Sequence, residues 1–211
     1  MRALLLADAR FPSGGHAHSG GLEAAVDGAR VVDIDTLGAF LDGRLATVGR
    51  VAAALAAAAC IGVHDLAALD DEAAARISSP ALRLTSLRQG RQLLRSARAV
   101  LGLPPGPEEL HHAVAIGVVS AAAGLGPLEA ARWAAYEALA GPTSAGVRLL
   151  GLDPFCAWAL VSGLAVDVEE VATAAAAGAA RPLDQLPCCS APMLEISAEH
   201  HAVSKGRLFA S

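Results

Sequence analysis

Seven histidines and four cysteines are the residues of this 211-residue chain whose types suit metal chemistry. Imidazole favours nickel and zinc. His16 and His18 lie two apart in a glycine-rich stretch and share a side if that stretch is extended. With a carboxylate such as Glu23 they would give one reading, a nickel- or zinc-binding enzyme. Two histidines alone give only a transient nickel contact, because a stable site takes three or four ligands. His64 stands alone, and His111–His112 and His200–His201 are adjacent pairs. On a helix such neighbours diverge by about 100° and cannot chelate one ion from one face. Cys60, Cys156, Cys188 and Cys189 form no CxxC pair and read as small buried hydrophobes. Cys188–Cys189, beside Pro187, leaves a soft-metal contact open.

Other catalytic devices are missing together. Lys205 is the only lysine, six residues from the end, so no phosphate loop can be assembled around it. There is no HExxH, no GxSxG and no Rossmann glycine pattern after a strand. Gly14-Gly15 and Gly20-Gly21 could cradle an anion at a helix start. No lysine stands beside them, and close backbone packing is the stronger reading. The expectation is a protein that is not an enzyme and holds no stably bound cofactor. A net charge of −5 argues against nucleic acid as a partner.

The elements that must position these residues are helical. The chain is 54% hydrophobic and 18% charged, with a mean hydropathy of +0.46. Its longest apolar stretches, Val51–Val63, Ala113–Leu125 and Pro154–Val166, fall short of the ~20 residues that cross a bilayer. No membrane is expected. Ala3–Ala7 is too short for a signal-peptide core, which predicts a cytoplasmic protein. The excess apolarity predicts a buried subunit interface. Apolar spacing of three and four predicts a helix over Thr36–Ile61, capped by Asp35 or Thr36, and a short one over Asp70–Ile77, capped by Asp70 or Asp71. Pro80–Leu101 follows, then Glu108–Ala123, Pro127–Ala140, Thr143–Leu150 and Pro154–Ala179, separated by glycine and proline. Arg181–Pro192 carries three prolines and reads as a linker, with a short helix from about Met193. The fold class is all-α: a single-domain bundle of about seven or eight helices over residues 1–211. Residues 1–21 form a glycine-rich N-terminal segment, and residues 181–211 a linker plus tail.

Two surfaces follow from this arrangement. Arg88, Arg91, Arg95 and Arg98 fall within an arc of roughly 80° on the Pro80–Leu101 helix, beside a core arc of Leu87, Leu94, Ala97 and Leu101. Gly90 on the core side allows a second helix to approach closely. The arginines read either as a solvated face or as a docking strip for an acidic partner. The tail, Met193–Ser211, carries much apolar surface for a terminus. It packs back on its own bundle or orders against a partner.

Four segments then carry a resemblance. Leu6-Ala7-Asp8 and Phe11-Pro12-Ser13-Gly14-Gly15-His16-Ala17-His18-Ser19-Gly20-Gly21-Leu22-Glu23 resemble the N-terminal signature of the UreF family, P-x-G-G-x-x-H-S-G-G-L-E. Arg83, Ser86, Gly90-Arg91 and Leu93-Leu94 resemble its central helix. Ser144-Ala145 with Val147-Arg148-Leu149 resembles its S-A-x-x-R-L motif, and His200 with Arg207-Leu208-Phe209-Ala210-Ser211 its R-L-F-x-S ending. The chain departs from the pattern in Gly151-Leu152-Asp153-Pro154, where the family has a glutamine-containing turn, and in His201, where an acidic residue usually follows the histidine.

The resemblance implies an all-α, dimerising urease accessory protein that bridges a UreD-type protein and a UreG-type GTPase while nickel is loaded into apo-urease. GTP would belong to the GTPase, and nickel would pass through the complex. Arg88, Arg91, Arg95, Arg98, Arg148, His200, Arg207, Leu208, Phe209 and Ser211 are then expected at partner contacts. Pro12, Gly14, Gly15, His18, Ser19, Gly20, Gly21 and Glu23 are expected in a structural or functional loop. A helical adaptor unconnected with urease is the other reading.

Overall fold

The computed structural model describes residues 5–6, 11, 18–204 and 208–209. Pro12, Gly14, Gly15, His16, Lys205, Arg207 and Ser211 lie outside the described residues. Among the described residues the fold is all-α, without a strand.

Helix α1 is short (Leu22–Asp27). A rod follows, made of α2 (Ile34–Arg44), a π-helical turn (Leu45–Gly49) and α3 (Arg50–Ile61). Its cap is Asp33 rather than Asp35 or Thr36. The Asp33 carboxylate accepts from the Thr36 amide at 2.9 Å while the Thr36 hydroxyl receives the Asp33 amide at 3.0 Å. By length and composition the 28-residue rod could cross a membrane, which the shorter apolar stretches do not suggest. It is a core helix: Ala53 through Ala58 are buried and pack on three other helices.

Those partners are α6 (His112–Ala122), α7 (Pro127–Leu150) and α9 (Ala165–Gly178). With few aromatics, the core closes by bringing backbones together. A Cβ on Gly117 of α6 would stand 2.3 Å from the Ala56 carbonyl oxygen, so only glycine fits this crossing.

Helix α5 (Pro80–Leu101) has the predicted bounds, with Ser79 as its cap and Gly102 in the left-handed region at its end. Gly90 permits the close approach expected of it, to the Leu110 carbonyl rather than to a helix.

Several further sequence expectations are corrected. Helix α4 runs Leu66–Ala75, because Asp65 takes the cap by accepting from the Ala68 amide at 2.9 Å. Asp70 instead accepts the His111 amide at 2.7 Å. That bond, with the Ser86 hydroxyl receiving the His112 amide at 3.0 Å, makes His112 and not Glu108 the start of α6.

Gly141-Pro142 does not end a helix, and α7 continues through it. Pro142 offers no amide to the Ala138 carbonyl. The Arg44 Nε–H fills that acceptor at 2.9 Å, across 94 residues of sequence.

Pro154–Ala179 divides into α8 (Pro154–Gly163) and α9, because Leu164 turns to φ −85°, ψ 7°. The proline-rich linker is docked. It holds a 3₁₀ turn (Leu183–Gln185), and Arg76 donates to the Leu183 carbonyl at 2.8 Å and the Pro187 carbonyl at 3.0 Å. Helix α10 (Pro192–Val203) then packs on α1 and α5.

A polar cluster joins α5, α6 and α7. His111 Nδ1 lies 3.1 Å from the Ser86 hydroxyl, and His112 Nε2 lies 2.7 Å from Glu137, which also accepts from Trp133 Nε1 at 2.7 Å. Burial is the largest influence on Glu137 and pushes its pKa up. His112 and the two hydrogen bonds outweigh it, and the group sits below its ordinary value. His111 is lowered chiefly by burial, with Asp70 opposing, and His18 by burial and then by the nearby His112 and Arg88.

Each of these folded values lies below its unfolded one, so each stabilises the fold above the unfolded pKa and loses that effect as pH falls through the folded value. The histidines act below 6.5 and Glu137 below 4.5. The melting temperature should therefore fall from pH 7 to pH 5, and His111→Gln should flatten the slope. Calorimetry across that range checks this; a flat wild-type profile would contradict it.

Candidate functional site

The residues Ser19-Gly20-Gly21-Leu22-Glu23 sit where the rod, α7, α10 and the tail meet. Gly20 and Gly21 have φ of 61° and 88°, a backbone that side-chained residues rarely adopt. The space is equally restrictive, since a Cβ on Gly20 would stand 3.0 Å from Pro142 Cγ and one on Gly21 3.1 Å from Leu194 of α10. Arg44 is the cation of this junction. One nitrogen donates to the Gly20 carbonyl and another to Ala138, so a single guanidinium ties the signature to the proline break in α7. Burial pulls its pKa down to about 10, leaving it charged at neutral pH. Arg44 was missed in the sequence reading. The available signal was an arginine midway along an apolar rod, in a chain with a proline inside a helical pattern.

Glu23 is the second anchor. Its side chain is 6% exposed, and that of His201 4%. The carboxylate receives the Leu208 amide at 2.7 Å on Oε1 and the Phe209 amide at 3.1 Å on Oε2, with His201 Nε2 at 2.8 Å from Oε2. Its own amide donates to the Ser19 hydroxyl at 3.3 Å. The metal-enzyme reading loses its carboxylate here, since Glu23 is committed to the tail. Among the described residues no three histidine, cysteine or acidic side chains gather as a metal cluster. Ser86, His111 and Asp70 are close but do not form a hydrolytic triad, because Asp70 engages the backbone amide of His111 and not its ring.

The tail residues divide. Phe209 is buried in the same cluster as Leu22, Leu37 and Leu139, and the Arg148 guanidinium carbon lies 4.5 Å from its ring centroid. Phe209 is therefore packed within this chain, whereas Arg148, which covers its ring, stays exposed. Leu208 is 77% exposed. His200 is exposed while His201 is buried, so the histidine that departs from the family pattern is the one engaged with Glu23.

On α10 the buried face carries Ser197, Ala198 and His201, and the outer face presents Met193, Ile196, His200 and Val203 at spacings of three and four. The sequence marks Met193, Ile196 and Val203 as apolar surface of the tail; that they share one face of a helix is seen only in the structure. The arginine stripe is only partly a free surface. Arg88, Arg91 and Arg95 are exposed, but Arg91 pairs with Glu109 and Arg98 donates to the Pro107 carbonyl.

The UreF family model matches residues 31–165. The UreF urease accessory protein of Mycobacterium sp. (strain JLS) is 43% identical over 216 residues, spanning 99% of this chain and 97% of that protein. That of Mycolicibacterium vanbaalenii is 41% identical, and that of Mycobacterium tuberculosis H37Rv 39%, each spanning 99% of this chain and 97% of its own length. The readings as a metal enzyme and as an adaptor unconnected with urease both give way. The chain belongs to the UreF family of urease accessory proteins, and it is an accessory factor rather than an enzyme.

Proposed function

We propose that this protein is a cytoplasmic scaffold for nickel insertion, linking a UreD-type protein to a UreG-type GTPase that acts on apo-urease. Nickel is cargo of the complex and GTP is bound and hydrolysed by the partner; no cofactor resides stably in this chain. His16 and His18 contribute at most a passing nickel contact.

The observation that carries the reading is the outer face of α10. Met193, Ile196 and Val203 are each more than half exposed, as is Leu208 beyond the helix. An apolar strip of this kind on a charged, soluble-type surface marks a protein contact. We assign it to the UreD-type partner. Arg88 and Arg95, exposed on α5, are assigned to an acidic face of the GTPase.

Co-purification of both partners from the same source checks the assignments together. Ile196→Asp with Val203→Asp should abolish UreD-type capture, and Arg88→Glu with Arg95→Glu should weaken GTPase recruitment about tenfold. Neither pair should move the melting temperature appreciably, since exposed substitutions cost about 0.5 kcal/mol or less. Normal assembly of either double variant would remove that surface from the interface.

Self-association has its own candidate face. Phe155 is 87% exposed at the start of α8, with Trp158 one turn on and Val166 at the start of α9. We infer that a second copy covers these residues. Sedimentation should show a dimer for the wild type and a monomer for Phe155→Asp; a dimer in both would place the interface elsewhere.

A further inference from the structure

We propose that Glu23 is a positioning residue for the C-terminal docking strip, setting the direction in which the tail presents its side chains. This inference rests on the reading that the strip receives the UreD-type partner.

The geometry is specific. Two consecutive tail amides, Leu208 and Phe209, donate to the two oxygens of one carboxylate. A chain that points successive N–H groups at one side chain must bend there, and its side chains then part. Phe209 turns inward beneath Arg148, at 6% exposure, and Leu208 turns outward at 77%. Leu208 is thereby brought onto the outside of the molecule, as Met193, Ile196 and Val203 are on α10.

The carboxylate is itself constrained. Glu23 is fixed through the Ser19 hydroxyl, on a helix whose start is set by Gly21. His201 of α10 engages the same oxygen as Phe209. α10 and the tail after it are therefore referenced to one group. A buried carboxylate without donors is strongly unfavourable, so the carboxylate and the tail hold each other in place. The glutamate of the signature and the R-L-F ending act as one unit, although 185 residues separate Glu23 from Leu208.

The full-length protein tests this by hydrogen exchange of the tail and capture of the UreD-type partner. Glu23→Gln keeps the side-chain shape but leaves one carbonyl oxygen. Its NH₂ would face the donors now served by Oε2. Tail amides should exchange at least about tenfold faster, the effect of losing one charge-assisted hydrogen bond. Exchange in α3 and α6 should be unchanged.

Leu208→Pro removes one donor without touching a core residue, and should speed exchange of the rest of the tail in the same way. Leu208→Ala keeps the amide and should not. Partner capture should fall about tenfold with Glu23→Gln and with Leu208→Pro. Unchanged tail exchange in these two variants would overturn the positioning role, and Leu208→Pro decides it should Glu23→Gln not fold. Faster exchange with wild-type capture would support the positioning role and overturn the docking reading on which it rests.

Discussion

A carboxylate that is almost wholly removed from water must have its lone pairs filled, and Glu23 fills them with donors from the far end of the chain. The Leu208 and Phe209 amides and the His201 ring supply them. This constraint explains why the signature ends in glutamate and why the tail returns to it. It also explains why a histidine is accommodated at position 201, where the family commonly has an acid. A second carboxylate at 4% exposure, 2.8 Å from the first, would be repulsive in this packing; an imidazole is attractive or neutral.

Arg44 solves the complementary problem on the other side of the same loop. Pro142 leaves the Ala138 carbonyl without its helical donor, and the signature turn leaves the Gly20 carbonyl facing inward. One guanidinium serves both. The π-helical turn begins at the next residue of the rod, Leu45. The loop, the rod and α7 are joined through backbone carbonyls. The positive φ at Gly20 and Gly21 and the near contacts with Pro142 and Leu194 belong to the same account.

What was legible in the sequence follows from how local each signal is. The bounds of α5 were readable because Ser79, Pro80 and Gly102 act within a turn of where they stand. The all-α class was readable because apolar spacing and glycine–proline punctuation repeat along the whole chain. Several of the misplaced elements involve partners far away in sequence. Asp70 resembled a cap but accepts an amide 41 residues on. Pro142 resembled a stop until an arginine 98 residues earlier in numbering, reaching Ala138, supplied the missing donor. Phe209 resembled an anchor for a partner because nothing local shows that Arg148 and the α1 cluster enclose it. The signature was recognised as a motif, and its glycines were read as packing residues. The role of its glutamate required knowing where the tail goes.

If Glu23 and the paired glycines work as described, the signature acts by architecture rather than by holding a metal. Urease activation by the complete accessory set tests it most directly, with His18→Ala compared against Glu23→Gln. Near wild-type activation is expected for His18→Ala and a loss of about tenfold or more for Glu23→Gln, whose tail has lost a charge-assisted hydrogen bond. A severe loss for His18→Ala beside normal activation for Glu23→Gln would contradict it.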